Sequence, residues 1–133
     1  IPTENYSGFA FVKNLDDHYV SVNLFFAAMF GLAPIDFCQD RDYKHVKNVF
    51  FKGKRLDDLT DYVQSFIHEN EQVFRGNNLF ILDVHNYQQQ LQFFLTHKQP
   101  IMNDKGNVIG LFSHSLEIAE PTPLLVDNYL NNI

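Results

Sequence analysis

FAFVKNLDDHYVSVNLFFAAMFGL, residues 9–32, is the stretch on which the fold turns. Phe9-Ala10-Phe11-Val12 and Tyr19-Val20-Ser21-Val22 are β-prone, and Asn14-Leu15-Asp16-Asp17 between them supplies turn chemistry. Asn23 is placed to cap a helix over Leu24 to Phe30, and Gly31 to end it in the left-handed conformation. The helical heptapeptide Leu24-Phe25-Phe26-Ala27-Ala28-Met29-Phe30 is apolar all round, so part of it should meet something beyond a single-domain core.

Outward from this stretch, the periodicity changes twice. Leu56, Leu59, Val63, Phe66 and Ile67 recur at helical spacing, predicting a helix over Leu56 to Phe74 that Gly76-Asn77-Asn78 stops. Its early aspartates (Asp57, Asp58, Asp61) suit the positive end of the helix dipole. From Leu79 the period becomes two. Phe80 to Val84 reads as a strand, His85 to Gln88 as a connection, and Gln90 to Thr96 as a half-buried strand. Asn103-Asp104-Lys105-Gly106-Asn107 is a hairpin turn, and Val108 to Ile118 the last strand. Pro121 and Pro123 end the pattern and forbid an uninterrupted helix there. Two strands, helices, then three strands predict an α+β domain, with one antiparallel sheet covered by helices on one face.

Composition narrows the function. The 133 residues form one domain of a size that buries about two thirds of its unfolded surface. Fourteen Phe and six Tyr promise a compact core. A net charge of −6, with ten Lys and Arg, argues against direct nucleic-acid binding, which needs a basic face. The basic run Lys44 to Arg55 reads as solvated surface. Nothing approaches the roughly 18 apolar residues of a membrane span. One cysteine, Cys38, excludes an internal disulfide and a multi-Cys metal site and fits a reducing, cytoplasmic setting. The start at Ile1, with neither Met nor a signal-peptide pattern, suggests a piece of a longer protein.

The element order, the capping Asn23 with Phe26 three residues on, and the closing Phe30-Gly31-Leu32 resemble the opening of a PAS domain. Pro100-Ile101-Met102-Asn103-Asp104-Lys105-Gly106-Asn107-Val108-Ile109-Gly110 resembles the hairpin between that family's last two strands. The resemblance implies a five-stranded antiparallel sheet in the order 2-1-5-4-3, with a lead-in at 1–7, the domain at 8–120 and a linker at 121–133. It also implies a sensory or dimerisation module of a bacterial signalling protein. Where many relatives read Asp-Ile-Thr, this chain reads Glu117-Ile118-Ala119 and then two prolines. That favours attachment to a LuxR-type helix-turn-helix regulator over a histidine kinase or diguanylate cyclase.

No constellation carries catalysis. Adjacent carboxylates such as Asp16-Asp17 diverge, and His114 points to the opposite strand face from Ser113 and Ser115. The flavin-linking motif of photosensory relatives is missing around Cys38. His45 and His68 read as surface residues rather than haem ligands, and no histidine pair has helical zinc spacing. No haem, flavin or metal is therefore expected, and no enzyme. The phenylalanine surplus either fills the core or leaves a pocket for a small apolar or aromatic ligand. The candidate lining is Phe11, Phe26, Met29, Phe30, Val63, Phe66, Leu91 and Phe93. Phe94 and Phe112 are assigned to the outer sheet face, the candidate homodimer surface or the seat of a terminal segment. A ligand-free dimerisation or relay module is the alternative.

Overall fold

The computed structural model describes residues 3–29, 31–37, 67–87 and 90–131. The elements are β1 (Ala10–Asn14), β2 (Tyr19–Val22), α1 (Leu24–Met29), a 3₁₀ turn (Pro34–Phe37), a helix over 67–74 (α2), β3 (Leu79–Tyr87), β4 (Gln90–Met102), β5 (Val108–Ile118) and α3 (Pro123–Asn131). The strands form one antiparallel sheet in the order β2-β1-β5-β4-β3, as the sequence resemblance implied. The expected helix over 56–66, Phe30, Cys38, His45, Val63 and Phe66 lie outside the described residues.

Asn23 does more than cap. Its Oδ1 accepts from Phe26 N at 2.9 Å and from Ala10 N at 3.1 Å, while its Nδ2 donates to Gly8 O at 3.0 Å. Its backbone N–H donates to Ala10 O at 2.9 Å. One buried amide therefore fixes the lead-in, β1 and the start of α1 together. The first turn of α1 is also reached from the lead-in, where Glu4 Oε1 accepts from Leu24 N at 3.2 Å.

The core lies on the helical face. Phe9, Phe11, Tyr19, Val22, Phe26, Phe37, Val73, Phe94 and Leu111 form its buried cluster, with Phe25, Met29 and Phe74 packed against it. Across the sheet, Phe112 meets the Tyr6 ring edge-on at 5.6 Å, so the lead-in lies over the outer face. α1 is apolar at every position, and part of that surface is left uncovered, with Leu24 65% exposed.

The face assignment of β4 needs correction. Phe94 is fully buried in the helical-face cluster, 5.5 Å from Phe9 and 5.7 Å from Phe25. By alternation, Leu91 and Phe93 then belong to the outer face. The period of two holds, but the faces are exchanged. β3 and β4 are also longer than the sequence suggests, and β4 runs through Pro100, which sits opposite Leu111. β3 pairs with β4 only as far as Lys98, so on that side Pro100 has no ladder bond to lose.

The hairpin after β4 has its expected chemistry. Asn103 Oδ1 accepts from Lys105 N and Asn107 N, both at 3.0 Å, and Gly106 takes φ 80°. At Gly110 a side chain would stand 2.6 Å from the Lys13 carbonyl oxygen, so the closeness of β1 requires glycine. At the far end, Thr122 caps α3 through its Oγ1, 3.2 Å from Leu125 N, and Pro123 takes the first turn. No helix runs through from β5, and the short α3 begins only at Pro123. Among the described residues, no helix is long and apolar enough to cross a membrane.

Two substitutions check this frame. Asn23→Ala should cost about 3 kcal/mol in urea unfolding, because it removes the cap and orphans the Ala10 N–H and Gly8 C=O. Phe94→Glu should abolish cooperative unfolding, since it drives a charge into the core; a folded variant would contradict the inner placement of Phe94.

Candidate functional site

The helical face of the sheet is not wholly apolar. Lys13, Asn70, Thr96, Lys98, Ser113 and Ser115 are all buried there or beside it. β1, β5 and β4 set them side by side, because Phe11 pairs with Ser113 and Ser113 with Lys98, and Thr96 pairs with Ser115.

Two ammonium groups anchor the cluster. Lys13 Nζ donates to Asp17 Oδ1 at 2.7 Å and stands 4.5 Å above the Tyr19 ring. Asp17 reaches it from the β1–β2 turn at φ 63°, a left-handed conformation that aspartate tolerates. Lys98 Nζ donates to Asn70 Oδ1 at 3.1 Å and forms an ion pair with Glu69 Oε1 at 2.9 Å. Asn70 closes the circuit by donating from Nδ2 to Asp17 Oδ1 at 3.3 Å. One amide from α2 thus links the two lysine centres. Thr96 Oγ1 donates to Asp83 Oδ2 on the neighbouring strand, and Ser115 Oγ to Phe9 O at 3.1 Å.

Two buried side-chain atoms, Glu69 Oε1 and Ser113 Oγ, have no hydrogen-bond partner among the described residues; Glu69 Oε1 still has the Lys98 ammonium at 2.9 Å, whereas Ser113 Oγ has no such charge beside it. Ser113 shares a face with Phe11, whose ring centre lies 6.0 Å from Lys98 Nζ. Phe11, Tyr19, Phe26 and Phe37 form a continuous aromatic wall, with centroids 4.9–5.6 Å apart between touching rings. Hydrogen-bonding groups of both kinds against flat rings suit a small molecule with a polar edge and an apolar face.

Of the candidate lining residues, Phe11 and Phe26 are in this wall and Met29 packs against the same cluster. Leu91 and Phe93 are on the other side of the sheet. Phe112 lies on the outer face as expected, but it is only 4% exposed beneath Tyr6. Sequence reasoning passed over Lys13, Asn70 and Lys98, read Glu69 only as a polar helix position, and weighed Asp17 and Ser113 only as catalytic groups. Their signal was the polar run Thr96, Lys98 and Ser113, Ser115 at period two in strands rich in aromatics, and a lysine closing Phe9-Ala10-Phe11-Val12-Lys13.

On the outer face, His114 lies against Tyr6, Phe112 and His97. Burial, and then the neighbouring His97, lower its pKa from the ordinary histidine value. His68 on α2 is exposed.

The fold is that of PAS domains. No protein-family model matches the sequence, and no curated protein matches it either. Solved structures do. The Vibrio cholerae VqmA–ligand–DNA complex superposes with a TM-score of 0.67 at 17% identity, over 97% of this chain and 54% of that one. A phage VqmA–DPO complex gives 0.66 at 17%, over 98% and 56%. The PAS domain of Bordetella pertussis BvgS gives 0.66 at 10%, over 98% and 90%. The chain spans about half the length of the VqmA chains it matches.

Lys98→Met should cost about 3 kcal/mol, because Glu69 and Asn70 lose their cation. Lys98→Met/Glu69→Gln should recover much of that loss. Strictly additive effects in this double-mutant cycle would mean that the two side chains do not act as a pair.

Proposed function

We propose that this chain is a PAS sensory module of a bacterial signal-transduction protein, non-enzymatic in itself, whose ligand sits over the helical face of the sheet. The observation that carries the reading is Ser113 Oγ, a buried hydroxyl without a partner among the described residues, set between Phe11 and Lys98. Leaving such a group unmet costs about 1–3 kcal/mol, and a ligand hydrogen bond would return it. Lys13 and Lys98 are each matched by a carboxylate, Asp17 and Glu69. An anion would have to break one of these pairs, so the ligand class is a neutral, flat molecule with a hydrogen-bonding edge. No haem or flavin enters this reading.

The effector is proposed to be a LuxR-type DNA-binding domain, in a cytoplasmic homodimer, with 1–7 as lead-in, 8–120 as the sensory domain and 121–133 as linker. Support comes from the VqmA structures, which are described as complexes with DPO and DNA, and as a dimer of a LuxR-type receptor. With Phe94 in the core and Phe112 beneath Tyr6, the contact between copies falls instead to the exposed row Leu82, Leu95 and Leu116, paired across β3, β4 and β5. That row also keeps the dimerisation-module reading in play.

Native mass spectrometry of the domain, before and after denaturation, distinguishes the two. The sensory reading expects a stoichiometric small molecule that dissociates on unfolding and is bound at least tenfold more weakly by Ser113→Ala. A clean apo mass, with no thermal shift across a panel of neutral heteroaromatic metabolites, would leave only the dimerisation module.

A further inference from the structure

The outer face of the sheet carries a feature that ligand sensing on the helical face leaves unused. His97 on β4 and His114 on β5 are directly opposed partners in the antiparallel ladder. Opposed residues in such a ladder have Cβ atoms about 4.5–5.5 Å apart, which brings two imidazoles together on one face. Here the ring centroids are 5.1 Å apart, with the planes at 70°. Two imidazoles bound to one ion through nitrogens at about 2.0–2.1 Å, at a tetrahedral angle, have ring centres about 5 Å apart. The observed centroid separation is the one that a shared ion requires of the ring centres, so the ladder need not shift to admit it.

Three further details bear on ligation. His97 is held in plane by Phe80, stacked at 4.4 Å and 13°. Its Nε2 lies 2.9 Å from Asn78 Oδ1, and because an amide oxygen only accepts, Nε2 carries the proton and Nδ1 keeps its lone pair. This is the outer-shell arrangement in which a ligating histidine is oriented through its other nitrogen. His114 is packed against the Tyr6 and Phe112 rings, which holds its imidazole beside that of His97.

We propose that His97 and His114 form a two-histidine site for a divalent transition-metal ion of the zinc, nickel or copper class. Among the described residues no third His, Cys, Asp or Glu joins them, and the proposal has water completing the coordination of an exchangeable ion. Imidazole donors suit these metals and not calcium or magnesium. The ion would join β4 to β5 beside the ring of Tyr6, and it stabilises the folded domain by mass action because the unfolded chain has no such pair.

Zinc chloride titrated into the metal-free domain, followed by calorimetry and by the imidazole NMR signals, tests the site. The expected result is one ion with a micromolar dissociation constant, with the His97 and His114 ring signals moving together. His97→Gln and His114→Gln should each weaken binding at least tenfold, and the double variant, which has neither ligand, should not bind measurably. Asn78→Ala, which removes the acceptor at His97 Nε2 and keeps both histidines, should weaken it by about tenfold through loss of orientation. His18→Gln should leave it unchanged. Absence of sub-millimolar binding of zinc, nickel and copper, or binding that survives both histidine substitutions, would overturn the site. So would ring shifts confined to other histidines in the unsubstituted domain, a readout that stands even if a variant fails to fold.

Discussion

Two ammonium groups lie on the side of the sheet that the helices cover, and their neutralisation constrains most of what surrounds them. Removing a charge from water costs several kcal/mol unless its partners are close and well placed. Lys13 obtains its partner from Asp17, four residues on, which reaches back only because the β1–β2 turn brings it round at a positive φ. Lys98 obtains its partners from Glu69 and Asn70, so one face of α2 must lie against β4. Asn70 spends its oxygen on Lys98 and its nitrogen on Asp17, tying turn, helix and strand into one circuit. Loss of any member would leave a buried charge or amide behind, which is why the circuit orders the site instead of merely decorating it.

Local signals in the sequence were strong where the backbone itself decides. Asn23 as a cap, the Asn103–Asn107 turn and the strand-helix-strand order depend on short-range chemistry, and all appear in the structure. The facing of β4 was different. Leu91, Phe93 and Leu95 look like a buried set beside Gln92, Thr96 and Lys98, yet the polar set faces the helices together with Phe94. Alternation fixes which residues share a face, not which face is inner. The inversion hid the site too, because a lysine in a strand ordinarily signals solvent, and its carboxylate partners here come from a distant turn and helix.

The PAS fold sets the position of a site without setting its chemistry. Among the described residues its chemistry pairs Lys13 with Asp17 and Lys98 with Glu69, beside the Ser113 hydroxyl and an aromatic wall. The opposite side of the sheet has its own occupants: the lead-in with Tyr6, the two histidines and an exposed apolar row. β5 belongs to both sides, with Ser113 and Ser115 turned one way and Phe112 and His114 the other. Gly8, between lead-in and β1, has Ser115 and Phe94 pressed against its Cα, so the lead-in is in contact with the helical-face core. On the proposed reading, a ligand that reorders the helical face therefore has a short physical path to the segment that lies across the other.

The most direct measurement is a high-resolution crystal structure of the domain purified from cells grown on rich medium. The account predicts density for a compact planar molecule within hydrogen-bonding distance of Ser113 Oγ, lying against the Phe11 ring with the Lys13–Asp17 and Lys98–Glu69 pairs intact. A helical face closed by protein side chains, with Ser113 Oγ bonded to a protein group and no ligand density, would contradict it.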